Sequence, residues 1–185
     1  MKKIGLFGGT FDPPHIGHFI IAEEVKYQFE LDEIWFIPTN EPPHKAQAYF
    51  SPSERLEMLQ RTVDKTPGFA VKDMELKRQG KSYTIDTVKN IVQHHLDDTF
   101  YFIIGGDMVE YLPKWEKIDE LMELITFIGV KRPHYDWTTD YMVQQATVPL
   151  IDISSTYIRE QMKSGRSMKY FLPHEVYCYR KDYHK

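Results

Sequence analysis

Length, composition and charge exclude several classes of protein before any motif is considered. The 185 residues are enough to bury a core within one domain spanning 1–185, and no apolar run approaches the roughly 20 residues that a membrane-spanning helix needs. The formal net charge of −4 disfavours a nucleic-acid-binding surface, which would be basic. We therefore expect a single domain that binds neither nucleic acid nor a membrane.

The N-terminal sequence indicates a cytoplasmic protein. MKKIGLFGG runs directly into strand-like sequence and lacks the apolar core and small-residue cleavage site of a signal peptide. Cys178 is the single cysteine, so it has no second cysteine with which to form an internal disulfide. We expect the protein to stay in the cytoplasm.

Alternating strand and helix signals begin at the N-terminus. The run KKIGLFG, 2–8, predicts a first strand, and a helix follows in which apolar residues recur at spacings of three and four, namely Phe19, Ala22, Val25 and Phe29. A second buried strand is predicted at Ile34–Pro38. SPSE at 51–54 combines an N-cap serine, a proline at the first helical position and a capping-box glutamate. These signals predict a helix whose buried face carries Leu56, Leu59 and Val63.

The same alternation continues through the second half of the chain. Phe69–Leu76 is predicted as a strand, and Ile85, Val88 and Val92 mark another helix. FYFII at Phe100–Ile104 is typical of a central parallel strand. The remaining predicted elements are strands at Ile125–Val130 and Val148–Ile153 and a capped helix at 154–165 that ends at Gly165.

Strands that alternate with helices predict an α/β fold of the Rossmann-like, doubly wound kind, with a mostly parallel sheet and helices on both faces. Such sheets bind ligands at the C-terminal ends of their strands, where the strand order reverses. Three loops follow predicted strands, namely 8–18, Gly105–Asp107 and Ile153–Thr156. We expect these loops to converge on one crevice.

The first of these loops, GGTFDPPHIGH at 8–18, has the composition of a phosphate-binding turn. Gly8 and Gly9 permit close approach of the backbone, and the helix that follows directs unpaired N–H groups toward the same space. The chain contains neither GxGxxG nor GxxxxGK[ST], so the two common nucleotide-binding motifs are absent. The turn therefore predicts an anion site of another kind.

His15 and His18 lie three residues apart at the predicted helix start, so both imidazoles can face one ligand and donate hydrogen bonds to phosphate oxygens. Two alternatives are a pair of structural histidines and a pair of zinc ligands. No cysteine or third histidine has convincing metal spacing, and the adjacent glycine turn favours contact with phosphate.

Two stretches give the chain a specific resemblance. GGTFDPPHIGH at 8–18 together with ISSTYIR at 153–159 resembles the nucleotidyltransferase superfamily with the (T/H)xGH motif. The intervening stretches PPHK (42–45), SYTIDT (82–87) and IIGGDMVEYLPKWEK (103–117) are similar to bacterial nicotinate-nucleotide adenylyltransferases. The chain departs from that pattern at Gly106, where alanine is common, and in the loop RPHYDW (132–137).

The resemblance implies an enzyme of NAD biosynthesis that transfers AMP from ATP to nicotinate mononucleotide, giving nicotinate adenine dinucleotide and pyrophosphate. It implies His15, His18 and Arg159 as catalytic residues. The implied ATP-binding residues are Gly8, Gly9, Thr10, Phe11, Gly105, Asp107, Ile153, Ser154, Ser155 and Thr156. The implied nicotinate mononucleotide-binding residues are Asp12, Lys45, Tyr83, Thr84, Trp115 and Arg132.

The resemblance also implies Mg²⁺ carried with ATP rather than in a dedicated protein site. The implied partners are ATP and nicotinate mononucleotide, and a homo-oligomer is left open. Several residues have a structural alternative: Asp107 and Ser154 as helix caps, Arg159 as a helix-surface arginine, and Trp115 as core.

Four other functions are less consistent with the sequence. Pantetheine-phosphate adenylyltransferase would share the ATP site, but SYTIDT and the region around Trp115 disfavour it. A nucleotide-sensing module would not need both His15 and His18. An aminoacyl-tRNA synthetase would need an anticodon-reading domain, and a dehydrogenase would need its glycine fingerprint.

Overall fold

A six-stranded parallel sheet forms the centre of the protein. The computed structural model describes residues 1–40, 48–78, 82–131, 136–149 and 152–183. The strands are β1 (Lys3–Gly9), β2 (Glu33–Pro38), β3 (Phe69–Val71), β4 (Thr99–Gly105), β5 (Thr126–Lys131) and β6 (Val143–Thr147). Their order is β3-β2-β1-β4-β5-β6, and each neighbouring pair is parallel. The predicted Rossmann-like α/β fold is confirmed.

Helices cover both faces of this sheet. In the described segments they are α1 (Ile16–Gln28), α2 (Pro52–Val63), α3 (Met74–Lys77), α4 (Thr84–His94), α5 (Gly106–Val109), α6 (Ile118–Leu124), α7 (Ser155–Lys163) and α8 (His174–Tyr183), with a 3₁₀ turn at Leu112–Lys114. None of these described helices is long and apolar enough to cross a membrane.

Two apolar clusters, one on each face, explain why the central strands read as continuous apolar runs. Leu6, Trp35, Phe102 and Phe127 belong to a cluster that packs with α4 and α6. The residue that follows each of them, Phe7, Phe36, Ile103 and Ile128, belongs to a second cluster with α1 and α2. Because successive side chains on a strand point to opposite faces, a strand covered on both sides needs apolar residues at every position.

The sheet reverses its order between β1 and β4, which places the carboxyl ends of these two strands beside each other. β1 pairs with β2 on one side and with β4 on the other, where Phe7 is in register with Ile103. A connection therefore leaves β1 toward one half of the sheet while β4 leads into the other half. This divergence opens the crevice in which sheets of this type bind ligands.

The predicted strand at Phe69–Leu76 is only partly correct. β3 ends at Val71, and Met74–Lys77 forms the short helix α3. The Lys72 N–H still donates to the Phe36 carbonyl, 2.9 Å away, which is the last backbone bond toward β2. Methionine, glutamate, leucine and lysine are all good helix formers, so the chain turns once the sheet no longer pairs it.

The strand predicted at Val148–Ile153 is wrong for the part of it that the structure describes, 148–149 and 152–153, where the chain is not in a strand. The edge strand is β6, five residues earlier at Val143–Thr147, and it pairs with β5 from Phe127 to Lys131. Only Ala146 of β6 is buried, because an edge strand at the rim of the sheet leaves most of its side chains in solvent. An apolar run marks burial, and this edge strand is mostly polar.

Candidate active site

The turn after β1 is shaped by an aromatic ring folded back over glycine. Phe11 has a left-handed φ of 49° and is 2% exposed, and its ring contacts those of Phe7 and Phe36 with centroids 5.7 Å away in each case. A Cβ added at Gly9 would lie 3.0 Å from the tip of the Phe11 ring, and one at Gly8 would lie 3.1 Å from Phe102. The two glycines therefore let the backbone lie directly against packed rings.

His15 and His18 are brought together at the start of α1. Their rings stack with centroids 3.7 Å apart, and the backbone N–H of His15 donates to Nδ1 of His18 over 3.1 Å. A backbone N–H can only donate, so Nδ1 of His18 is the acceptor and the proton of the neutral ring lies on Nε2. The edge of the His18 ring also packs on Phe11, with centroids 5.0 Å apart. His18 is therefore held as an Nε2–H donor.

Gly17 explains why glycine lies between the two histidines. A Cβ at this position would lie 3.0 Å from Nδ1 of His15 and 3.1 Å from its Cε1. It would also lie 3.9 Å from the carbonyl oxygen of Ile153, just before α7. The start of α1 therefore approaches the loop that leads into α7, as the sequence predicted for two of its three loops.

Helix α7 is attached to the glycine turn by side-chain contacts. Ser154 is the N-cap, and its Oγ accepts from the Tyr157 N–H over 3.1 Å. Ser155 Oγ donates to the Pro13 carbonyl over 3.0 Å. Arg159 donates through Nη1 to the Asp12 carbonyl over 2.7 Å. The N-terminus of α7 is thereby held beside the turn that follows β1.

Arg159 is more enclosed than an ordinary helix-surface arginine. Its side chain is 26% exposed, and Nη2 donates to Thr156 Oγ1 over 3.1 Å. Nη1 lies 3.4 Å from the Asp12 carboxylate. Asp12 of the turn and Thr156 of α7 therefore orient the guanidinium of Arg159. Its positive charge lies beside the turn that leads to His15 and His18.

Asp12 is a buried carboxylate with backbone partners. It is 5% exposed, and its two oxygens accept from the N–H groups of Tyr49 and Phe50 over 2.8 Å each. With Arg159 as a third partner, Asp12 links the glycine turn, the chain before α2, and α7. Both carboxylate oxygens of Asp12 thus have partners within the protein. A direct contact between Asp12 and the second substrate stays a prediction.

The end of β4 contributes a second rim of the crevice. Gly105 is the N-cap of α5, and Asp107 is exposed in the first turn of that helix. A Cβ added at Gly106 would lie 3.0 Å from the indole of Trp137, and one at Gly129 would also lie 3.0 Å from it. Trp137 thus occupies the space that an alanine at 106 would take, which accounts for the departure at Gly106.

Three residues predicted for the second substrate, Tyr83, Thr84 and Trp115, lie on the face of the sheet that α4 covers. Thr84 is the first residue of α4 and is half-buried, while the preceding Tyr83 is 39% exposed. Trp115 is half-buried and contacts the rings of Phe102 and Phe127 at 5.9 Å each.

Phe102 connects this face to the phosphate turn, because the same ring lies beneath Gly8. The Phe102 ring thus lies between Trp115 and the turn. The contacts of Trp115 with Phe102 and Phe127 are those expected if it is a core residue, which is the structural alternative for this position. Lys45 and Arg132 lie outside the described residues.

Two charged residues that the sequence motifs did not indicate are buried beside these loops. Arg55 is fully buried on α2, and Glu75 on α3 is 8% exposed and accepts from Thr87 Oγ1 over 2.8 Å. Burial raises the pKa of the Glu75 carboxyl, which the Thr87 hydroxyl and the Arg78 charge partly offset. Arg55 had a sequence signal, since it is spaced four residues before Leu59 and eight before Val63 on the apolar face.

Within the part of the chain that the structure describes, no group of three or more histidine, cysteine, aspartate or glutamate side chains could hold a metal ion. The donors gathered at the crevice are instead imidazoles, hydroxyls, helix N-termini and a guanidinium. This set of groups suits the oxygens of a polyphosphate.

The reversed strand order and the crevice with its histidines define a nucleotide-binding transferase, and a family model described as cytidylyltransferase-like matches residues 6–161. A Bacillus subtilis protein described as nicotinate-nucleotide adenylyltransferase is 51% identical, covering 97% of this chain and 95% of its own. An Oceanobacillus iheyensis protein with the description "Probable nicotinate-nucleotide adenylyltransferase" is 54% identical, covering 99% and 96%. The chain therefore belongs to the nicotinate-nucleotide adenylyltransferase family, as its motifs predicted.

Solved structures agree with the fold. A Plasmodium falciparum nicotinic acid mononucleotide adenylyltransferase complexed with NaAD superposes with a TM-score of 0.82, covering 99% of this chain and 96% of that one. The two sequences are 21% identical. The two proteins thus share the same architecture although most of their residues differ.

Proposed function

We propose that this chain transfers the AMP group of ATP to nicotinate mononucleotide, forming nicotinate adenine dinucleotide and releasing pyrophosphate. The observation that carries the proposal is the pair of stacked imidazoles, His15 and His18. They lie at the start of α1, beside the point between β1 and β4 where the strand order reverses, and against the loop before α7. The names of the relatives at 54% and 51% identity support the choice of nicotinate mononucleotide as acceptor.

The reaction needs no protein nucleophile. An oxygen of the 5′-phosphate of nicotinate mononucleotide forms a bond to the α-phosphorus of ATP. The bond from that phosphorus to the oxygen that bridges it to the β-phosphorus breaks, and this oxygen leaves as a terminal oxygen of pyrophosphate. Negative charge spreads over the phosphate oxygens during this displacement, so donors that are already oriented lower the barrier. His18 is suited to this task because its Nε2–H is fixed by the bond that Nδ1 accepts from His15.

The remaining ATP contacts are proposed from α7 and from the glycine turn. The first N–H groups of a helix have no partner within it, so those of Ser155 and Thr156 are available to the β- and γ-phosphates. The Ser155 hydroxyl already donates to Pro13, so we assign it to holding the turn. Arg159 supplies the cation near the phosphates, and it is held for this role by Asp12.

The other proposed ATP contacts belong to the backbone of the turn and to the end of β4. Gly8, Gly9, Thr10 and Phe11 would line the adenylate, with Ile153 beside the start of α1 and Gly105 and Asp107 beside the ribose or the base. Asp107 is exposed, as a ligand contact requires.

For nicotinate mononucleotide we propose Tyr83 and Thr84 at the start of α4 and Trp115 beside the phosphate turn. Lys45 and Arg132 are carried as proposals from the sequence. For Asp12 we now propose a positioning role, since its carboxylate is already bonded to Tyr49, Phe50 and Arg159.

Mg²⁺ is proposed to arrive as part of the substrate, bound to the phosphates of ATP. Its charge would offset that of the polyphosphate and of the pyrophosphate that leaves. We further propose that 1–185 act as one nucleotidyltransferase domain in the cytoplasm, as a monomer or homo-oligomer, without nucleic-acid or membrane partners.

The test is pyrophosphate release by the purified protein with ATP and Mg²⁺ and three acceptors, namely nicotinate mononucleotide, nicotinamide mononucleotide and phosphopantetheine. We expect kcat/KM to be highest for nicotinate mononucleotide. A preference for phosphopantetheine would keep the ATP site and overturn the acceptor. ATP binding without turnover of any acceptor would replace the enzyme with a nucleotide-sensing module.

A further inference from the structure

Arg55 makes an unusual set of contacts for a buried arginine. It is fully buried in the first turns of α2, and its guanidinium donates to four backbone carbonyls. These are the carbonyls of Thr10 at 2.7 Å, Thr39 at 2.8 Å, Phe50 at 3.3 Å and Asn40 at 3.3 Å. One side chain therefore contacts three separate stretches of chain.

The three stretches connect the glycine turn to chain that contacts the neighbourhood of α4, where we place nicotinate mononucleotide. Thr10 lies in the glycine turn that we assign to ATP, whereas Thr39 and Asn40 follow β2. Asn40 in turn donates through its side chain to the Arg78 carbonyl over 3.4 Å, close to the start of α4. Phe50 precedes α2, and its N–H is bound by Asp12 of the same turn.

The chemistry of the guanidinium explains why arginine is used here. Its planar fork carries five N–H donors, so it can bind several carbonyls that face one point, whereas a lysine ammonium offers three donors from one atom. Burial lowers the pKa of Arg55, and the nearby Asp12 carboxylate opposes this. An arginine nonetheless stays charged in proteins, so these contacts persist across the working pH range.

We propose that Arg55 is a positioning residue that couples the two substrate sites, so that ATP and nicotinate mononucleotide each tighten the binding of the other. The inference rests on the proposed function. A ligand that orders the Thr10 turn holds the acceptor carbonyl of Thr10 in place, which fixes the guanidinium and thereby the chain at 39–40 and 50. By linkage the effect is reciprocal, and such couplings are typically about 5-fold to 150-fold in affinity.

The experiment measures the dissociation constant of nicotinate mononucleotide by calorimetry, with and without saturating α,β-methylene ATP, which cannot release pyrophosphate. For the wild-type chain we expect the nucleotide analogue to tighten binding at least about 5-fold. In Arg55→Lys we expect this ratio to fall to about 1, because the ammonium cannot bind all three stretches. The matched control is Arg61→Lys on the same helix, whose guanidinium bonds to Glu57 on the surface and should keep the wild-type ratio.

The ratio separates coupling from a merely structural role. A variant that binds each ligand more weakly but keeps the wild-type ratio would overturn the inference, as would a wild-type chain that binds both ligands independently. A wild-type chain that does not bind nicotinate mononucleotide at all would overturn the proposed function instead.

A second measurement on the wild-type chain does not depend on how well the variant folds. The methylene analogue alone should slow amide hydrogen exchange at 39–40 and 48–50, which are not among the proposed ATP contacts. Unchanged exchange in both stretches would overturn the inference.

Discussion

Replacing Gly17 by alanine tests whether the stacked histidines need their observed geometry. The added Cβ would lie 3.0 Å from Nδ1 of His15 and 3.1 Å from Cε1, so the ring must move by a few tenths of an ångström. The His18 ring stacks on it at 3.7 Å and would move with it. The substitution therefore displaces the proposed phosphate donors without removing either of them.

The structure sets the expected size of this effect. A misplacement of about 1 Å near the reacting atoms can cost about 100-fold in rate, so a few tenths should cost about 10-fold in kcat/KM, or about 1.4 kcal/mol. The free energy of unfolding should stay nearly unchanged or rise, because alanine is favoured over glycine within a helix by up to about 1 kcal/mol. We expect lower activity in a chain that is at least as stable.

Pyrophosphate release gives kcat/KM for Gly17→Ala, and urea unfolding gives its free energy of unfolding. The matched control is Gly165→Ala, where φ is +77° and no atom lies within 4 Å of the added Cβ. There we expect a loss of about 1 kcal/mol in stability with unchanged kcat/KM. Wild-type kcat/KM in Gly17→Ala would refute the assignment, and a parallel collapse of stability would show that the glycine serves the fold.

Three further predictions concern single residues. His18→Ala should lower kcat by about 100-fold to 1,000-fold with an unchanged circular dichroism spectrum, and near-normal turnover would contradict its assigned role. Ser51→Ala should cost about 1 kcal/mol in urea unfolding, because Ser51 Oγ caps α2 by accepting from the Glu54 N–H; an unchanged midpoint would show that the cap is dispensable. Burial raises the pKa of Glu75 above its ordinary value of 4.5, so between pH 4.5 and the raised pKa this carboxyl is more protonated in the native state than in the unfolded chain. The free energy of unfolding of the wild-type chain, relative to Glu75→Gln, should therefore fall as pH rises from 4.5 through the raised pKa, whereas parallel pH profiles would argue against the shift.

Features that depend on near neighbours in sequence could be predicted. The capping box at 51–54 starts α2 as expected, because its two hydrogen bonds join residues three apart. Ser154 caps α7, and the glycine turn lies where an apolar strand ends. The central strands β1 and β4 were recognisable because burial on both faces demands an unbroken apolar run.

Features that depend on distant partners could not be predicted. The edge strand at Val143–Thr147 pairs with β5 on one side and leaves most of its side chains in solvent, so its sequence is mostly polar. It therefore lacked the apolar signal that Val148–Ile153 displayed. Trp137 fills the space above Gly106 and Gly129, which are separated from it in sequence and meet it only in the folded sheet.

The fold class, the phosphate-binding turn and the family could be predicted before the fold was known, because strand periodicity, helix caps and the HxGH spacing are local properties of the chain. The packing of distant elements was needed to distinguish the polar residues that face the crevice from those that hold its loops together. Asp12 and Arg55 have ordinary sequence neighbours, yet each is buried among backbone groups that come from other loops. A buried charge needs partners that converge in space, and that convergence exists only once β1, β2 and α2 have packed together.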